Sequence, residues 1–171
     1  LVDLCIKGDV KEVIFGKALS RCVCQFFEKV EGKGITDILA AFSLGGDWGI
    51  SPEVIADYFK IPILDLPTKL AALHAGGVIQ ELGNRKICVQ PAVLRCSLIK
   101  DAFFDGPCPL YYKSIAEHVH MKYFILSLIG AKSIGAKVFD EEIKELLYQT
   151  KEADVWEAFA ELGPRETSYV L

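Results

Sequence analysis

Three kinds of residue in this 171-residue chain could do chemistry: six cysteines, three histidines and a cluster of acids. Cys22 and Cys24 form a C-x-C pair, and His118 and His120 stand two apart. On a helix such spacing points the side chains to different faces, and no second pair completes four zinc ligands. Buried thiols acting as small hydrophobes, and ordinary surface or interhelix histidines, are the expected outcome. A cysteine nucleophile needs a histidine beside it; His74 with Cys88 or Cys96 is the conceivable pairing, with no orienting motif to support it. The string "GAKSIGAK" over residues 130–137 lacks the glycine pattern of a phosphate loop and reads as a helix end and turn. Asp140, Glu141, Glu142 and Glu145 read as a solvated helix face, with the first three suited to a helix N-terminus. No catalytic constellation or metal site emerges, and an enzyme is not expected from this segment.

The elements that must position these residues are mostly helical. Residues 9–30 repeat apolar side chains at helical spacing after Asp9, and Gly32 and Gly34 end the run. A second helix is expected over 35–44, stopped by Gly45 and Gly46. Ser51, Pro52 and Glu53 supply an N-cap, a first-turn proline and an early acid for a helix to about Phe59. Asp65 is the expected cap of a further helix, closed by Gly76 and Gly77. Residues 78–82 and 86–90 are β-prone and joined by Gly83, Asn84 and Arg85, a loop of hairpin length. Pro91 opens a helix through 104, and Asp105, Gly106, Pro107 and Pro109 break it. Helices follow over 110–119, 121–129, 140–150 and 153–162, with connections short enough for antiparallel pairs. The expected fold class is mainly α: a winged-helix module with one short β-hairpin, flanked by long helices and C-terminal helical hairpins that are repeat-like. The expected division is 1–34 as an N-terminal helical segment, 35–105 as the winged helix with its following helix, and 106–171 as the helical-hairpin segment.

Bulk properties narrow the function. A formal charge of −4 and a pI near 5.4 disfavour nucleic-acid binding, which draws on Lys and Arg to displace counterions. A mean hydropathy of +0.30 with 25% charged residues suggests apolar surface that meets a partner. The best apolar stretch, 123–129, is far too short for a bilayer, and no membrane partner is expected. Cysteines set in apolar patterns without a signal peptide suit reduced thiols and a cytoplasmic location. The start on Leu1 without Met and the close on Tyr169, Val170 and Leu171 read as a piece of a longer protein.

The third helix of a winged helix is the one that enters a DNA groove, and it needs Arg, Lys, Asn or Gln facing outward. Residues 65–77 offer Lys69 and His74 among Ala71, Ala72 and Ala75, and the wing adds Arg85 and Lys86. Those four are the candidate contacts of a DNA-binding transcriptional regulator whose helical part would dimerise or bind an effector. Trp48, in a Gly-rich turn, is expected to plug the module's core rather than present an aromatic contact.

Residues 35–90, about a third of the chain, resemble the winged-helix family, a resemblance carried by "GISPEVIADYFKIPILDLPTKLAALHAGGVIQELGNRKICVQP". With a helix before it and "QPAVLRCSLIKDAFF" after it, the arrangement is similar to the regulatory region of signal-transduction NTPases of the STAND class. The resemblance implies a nucleotide-binding domain ahead of the winged helix, a superhelical sensor array behind it, and a hinge between closed and engaged states. It implies no cofactor in this segment, with ATP or ADP held by the preceding domain. The expected partners are neighbouring domains of the same chain and another protein. Many members carry a His after the wing's second strand that approaches the ADP β-phosphate; here Gln90 stands there, as a nucleotide-sensing amide or, more plainly, as a cap for the helix that Pro91 opens.

Overall fold

The computed structural model describes Gln25, Glu28 and residues 34–106 and 109–161. The helix expected over 9–30 lies outside the described residues apart from Gln25 and Glu28, both helical and exposed. What is described is mainly helical, with one two-stranded antiparallel sheet. Helix α1, Ile35–Ser43, is the centre of the core: Ile38, Leu39, Phe42 and even Ala40, Ala41 and Ser43 are buried. A helix covered on all sides needs no polar face. Its one buried hydroxyl, Ser43 Oγ, donates back to the Leu39 carbonyl at 2.8 Å.

A 3-10 turn, Gly46–Trp48, leads to Ile50, which exchanges backbone hydrogen bonds with Ile87 at 3.0 and 2.9 Å. Gly49 makes this approach possible: its φ is +70, and a Cβ there would lie 2.8 Å from the Ile87 carbonyl oxygen. Helix α2, Pro52–Phe59, starts as the sequence predicts, with Ser51 Oγ accepting the Glu53 N–H at 3.3 Å. Helix α3, Leu66–Ala75, buries Leu66, Leu70 and Leu73. Asp65 precedes it without a side-chain cap bond, because its backbone is already helical rather than extended.

Strands β1, Ile79–Glu81, and β2, Ile87–Val89, pair with Ile79 opposite Val89 and Glu81 opposite Ile87. Flanking backbone bonds, Leu82 N–H to Lys86 and Gln90 N–H to Val78, extend the pairing over the expected span. Three helices followed by a hairpin is the winged-helix order.

Helix α4, Ala92–Ile99, runs on as a π-helix, Lys100–Asp105, where a plain α-helix was expected. Lys100 and Asp105, five residues apart, form an ion pair of 2.5 Å across the wider turn. The helix expected over 110–119 shrinks to α5, Lys113–Ala116. Tertiary bonds hold the preceding residues out of a helix: Leu110 N–H donates to the Ala102 carbonyl and Tyr111 N–H to the Tyr58 hydroxyl. Helix α6, Met121–Ser133, extends past the expected end at 129, and α7, Asp140–Gln149, and α8, Glu152–Glu161, follow.

Helix α4 lies against both α1 and α6. Its Leu94, Leu98 and Ile99 join Phe124, Ile125 and Leu128 of α6 in a single apolar core that continues to Ile143. The segments on either side of residue 105 therefore share one core. Gly130 lets α4 and α6 approach closely, since a Cβ there would meet Cys96 Sγ at 2.8 Å. Among the described residues, no helix is long and apolar enough to cross a membrane.

Candidate functional site

Two places on this module of three helices and a hairpin gather polar side chains. The first is a junction where the turn after α1, the wing, α4 and α6 meet. Arg95 and Leu98 lie three apart on α4, so the helical period that buries Leu98 turns Arg95 inward as well. Arg95 is 7% exposed. Its Nη1 donates to the Val89 carbonyl at 2.8 Å and reaches Cys88 Sγ at 3.7 Å, while Nη2 pairs with Asp47 Oδ1 at 2.7 Å. The guanidinium thus ties the 3-10 turn to β2 and to α4.

Gln90 joins the same cluster. Its Nε2 donates to Cys88 Sγ at 3.2 Å, and α4 has no side-chain cap bond at its start. The helix-capping role expected for Gln90 is therefore not what the amide does: Pro91 occupies the cap position and the Gln90 side chain turns back to the strand. Burial pushes the Cys88 thiol up, outweighing the opposing pull of Arg95 and Gln90, and burial also raises Cys96. Both shifts run opposite to what a thiolate nucleophile needs. Cys5, Cys22, Cys24 and Cys108 lie outside the described residues.

Trp48 departs from its expected core position. It is 44% exposed and spans the outside of the junction, stacked on Tyr123 of α6 with ring centroids 5.7 Å apart and an interplanar angle of 19°. His120 packs on both rings, at 5.2 Å from Trp48 and 5.5 Å from Tyr123. Lys86 Nζ sits 4.4 Å above the indole. The Gly-rich loop places the indole at the rim, where α6 supplies the other half of the contact.

The second place is a cleft of about 530 Å³ between α2, α3 and the hairpin. It has a floor of Leu66, Leu70, Ile79 and Ile87, and His74 and Arg85 at its edge. Lys69 faces elsewhere, half-buried in a groove with Asp37, Phe59 and Ile61. The Asp37 carboxyl there is raised by burial and then by Glu28. Of the four residues singled out for nucleic acid, the structure brings together His74 and Arg85, sends Lys69 to another groove, and lays Lys86 on Trp48.

Glu142 also departs from the solvated face expected of its neighbours. It is half-buried, accepts a hydrogen bond from the Tyr112 hydroxyl, and has its carboxyl raised by burial and then by Glu145. Asp140 pairs with Lys132 at the end of α6. Among the described residues, no group of three or more His, Cys, Asp or Glu could hold a metal ion.

Arg95, Asp47 and Tyr123 are junction residues that the sequence reading did not single out. The signal for Arg95 was present in its spacing from Leu98 and Ile99; nothing local marked Asp47 or Tyr123. Comparison with protein-family models, curated proteins and solved structures returns no match.

Proposed function

We propose that this chain is a non-catalytic regulatory and scaffolding segment of a multidomain signalling NTPase of the STAND class. In this reading the winged helix packs intramolecularly and the helical part engages a protein partner. The observation that carries it is the junction: the module turns Asp47 and Trp48 toward its own following helices, Asp47 pairing with Arg95 of α4 and Trp48 stacking on Tyr123 of α6. A surface used that way serves internal packing. Its candidate DNA contacts, by contrast, do not converge, with Lys69 and Lys86 on different sides of the module. Nucleotide chemistry would belong to a preceding domain, and Gln90, with one amide N–H on Cys88, would have its second N–H to offer a phosphate. Reduced, partly buried thiols suit a cytoplasmic setting.

Titration with labelled duplex DNA at low and moderate salt tests this reading. Weak binding at both salt concentrations is the expected result. Tight, salt-sensitive binding lost on replacing Lys69, Arg85 and Lys86 with Gln would overturn it in favour of a DNA-binding regulator. Reading the coding sequence upstream gives a second test, with a phosphate-binding loop expected in the preceding few hundred residues.

A further inference from the structure

The cleft between α2, α3 and the hairpin has the size and lining of a small-molecule site. Its volume of about 530 Å³ falls within the range of roughly 300–1,000 Å³ typical of such sites. The floor is apolar, and Ile63 and Ala71 continue that surface to the open edge, where Ile63 remains 43% exposed. Apolar area left open beside a recess is area a ligand can cover.

The polar edge is unequally engaged. Glu53 is held within its own helix start, where its carboxylate accepts from the Ser51 hydroxyl and its N–H donates to Ser51 Oγ. Arg85 sits at the wing tip with φ +58 and makes no hydrogen bond or ion pair among the described residues. His74, from the last turn of α3, lines the same cleft and supplies a ring N–H. Glu81 and Glu53 are the opposing charges at this edge, and the Glu53 carboxylate lies close enough to Arg85 to be lowered by its charge.

We propose that this cleft binds a small amphipathic anion, with an apolar body on Leu66, Leu70, Ile79 and Ile87 and a carboxylate-like head on Arg85 and His74. A guanidinium fork matches a carboxylate in shape and charge, and the apolar floor supplies the burial. Glu81 and Glu53 weaken the head-group contact without blocking the floor. The inference stands apart from the signalling NTPase reading, because it uses the cleft and not the junction.

The test is a fluorescence titration of the full chain with two probes of the same ring body: anionic anilinonaphthalene sulfonate and neutral phenylnaphthylamine. One saturable site is expected, with the sulfonate bound about five times more tightly than the neutral probe, as for one partly exposed charge contact. Decanoate should displace the sulfonate, carrying the result over to a carboxylate. Arg85→Gln should erase the preference for the anion, and Glu81→Gln should enlarge it. Ala71→Trp, at an exposed position on the cleft wall, should abolish binding of both probes while the far-ultraviolet circular dichroism stays unchanged. Equal binding of the two probes, indifference to Arg85→Gln, or saturable binding that survives Ala71→Trp would each overturn the proposal.

Discussion

Arg95 and Asp47 meet at 2.7 Å with unequal surroundings: the arginine side chain is 8% exposed and the aspartate 69%. The pair is a buried cation anchored by a carboxylate that stays largely in water, so its two halves carry different energetic weight. Arg95 also holds the Val89 carbonyl, which Asp47 does not touch.

Arg95→Ala should therefore cost about 3 kcal/mol, from the cavity it leaves and the loss of a donor to a buried carbonyl. Asp47→Asn should cost less, about 1–2 kcal/mol, since the amide oxygen keeps an acceptor for Arg95 while the buried guanidinium loses its counter-charge. Arg95→Met, which keeps the volume, should fall between them. Urea unfolding measures all three, and a larger cost at Asp47 than at Arg95 would contradict the asymmetry.

The Trp48–Tyr123 stack joins the turn after α1 to α6, so the two rings should show energetic coupling. A double-mutant cycle with Trp48→Ala and Tyr123→Ala should return about 1 kcal/mol of interaction. Lys86→Gln should remove about 0.5 kcal/mol at this partly exposed site. Strictly additive Trp48 and Tyr123 costs would show that the contact is incidental.

The carboxyl of Glu142 is raised above its ordinary 4.5 by burial, with Glu145 adding to the effect. The folded state thus holds this proton more tightly than the unfolded chain. Stability contributed by the protonated form is full below about 4.5 and is lost as pH rises through the raised folded value. Glu142→Gln should stabilise the protein at pH 7, keeping an acceptor for Tyr112, and should have no effect well below pH 4.5. Thermal denaturation across pH reads the difference, and a variant less stable than the parent at pH 7 would refute the assignment.

Cys88 and Cys96 are both raised from the ordinary 9.0, chiefly by burial. Each should be alkylated more slowly in the folded protein than in urea at pH 8, by about tenfold or more, as followed peptide by peptide in a mass spectrometer. The same shifts mean that folding loses stability as pH rises above about 9, because the unfolded thiols release their protons first. Rapid labelling of Cys88 in the folded chain would sink this account.

The sequence exposed most of the element boundaries because local chemistry set them. Ser51, Pro52 and Glu53 start α2 whatever lies around them, and Gly83, Asn84 and Arg85 turn the hairpin. Elements governed by distant partners were less legible. Residues 110–112 carry a helical pattern, but the N–H groups of Leu110 and Tyr111 donate to Ala102 and Tyr58 and hold these residues outside α5. Trp48 looked like a core residue because its ring partner, Tyr123, lies 75 positions later in the numbering. Gln90 has its local partner two residues back, in β2, on the side that helix-capping rules do not consider.

Helix α4 belongs to two structures at once, since the same eight residues wall the winged helix and back α6. Eight helical residues span about 12 Å, a short and stiff axle between wing and C-terminal helices. Torque applied at α6 reaches β2 through Arg95 without crossing a loop. Swinging the turn after α1 away from α6 would have to unstack Trp48 from Tyr123, and swinging the wing away would have to lift Lys86 off the indole. A displacement of the helical end relative to the hairpin would have to carry α4 with it or break the Arg95 bond to Val89.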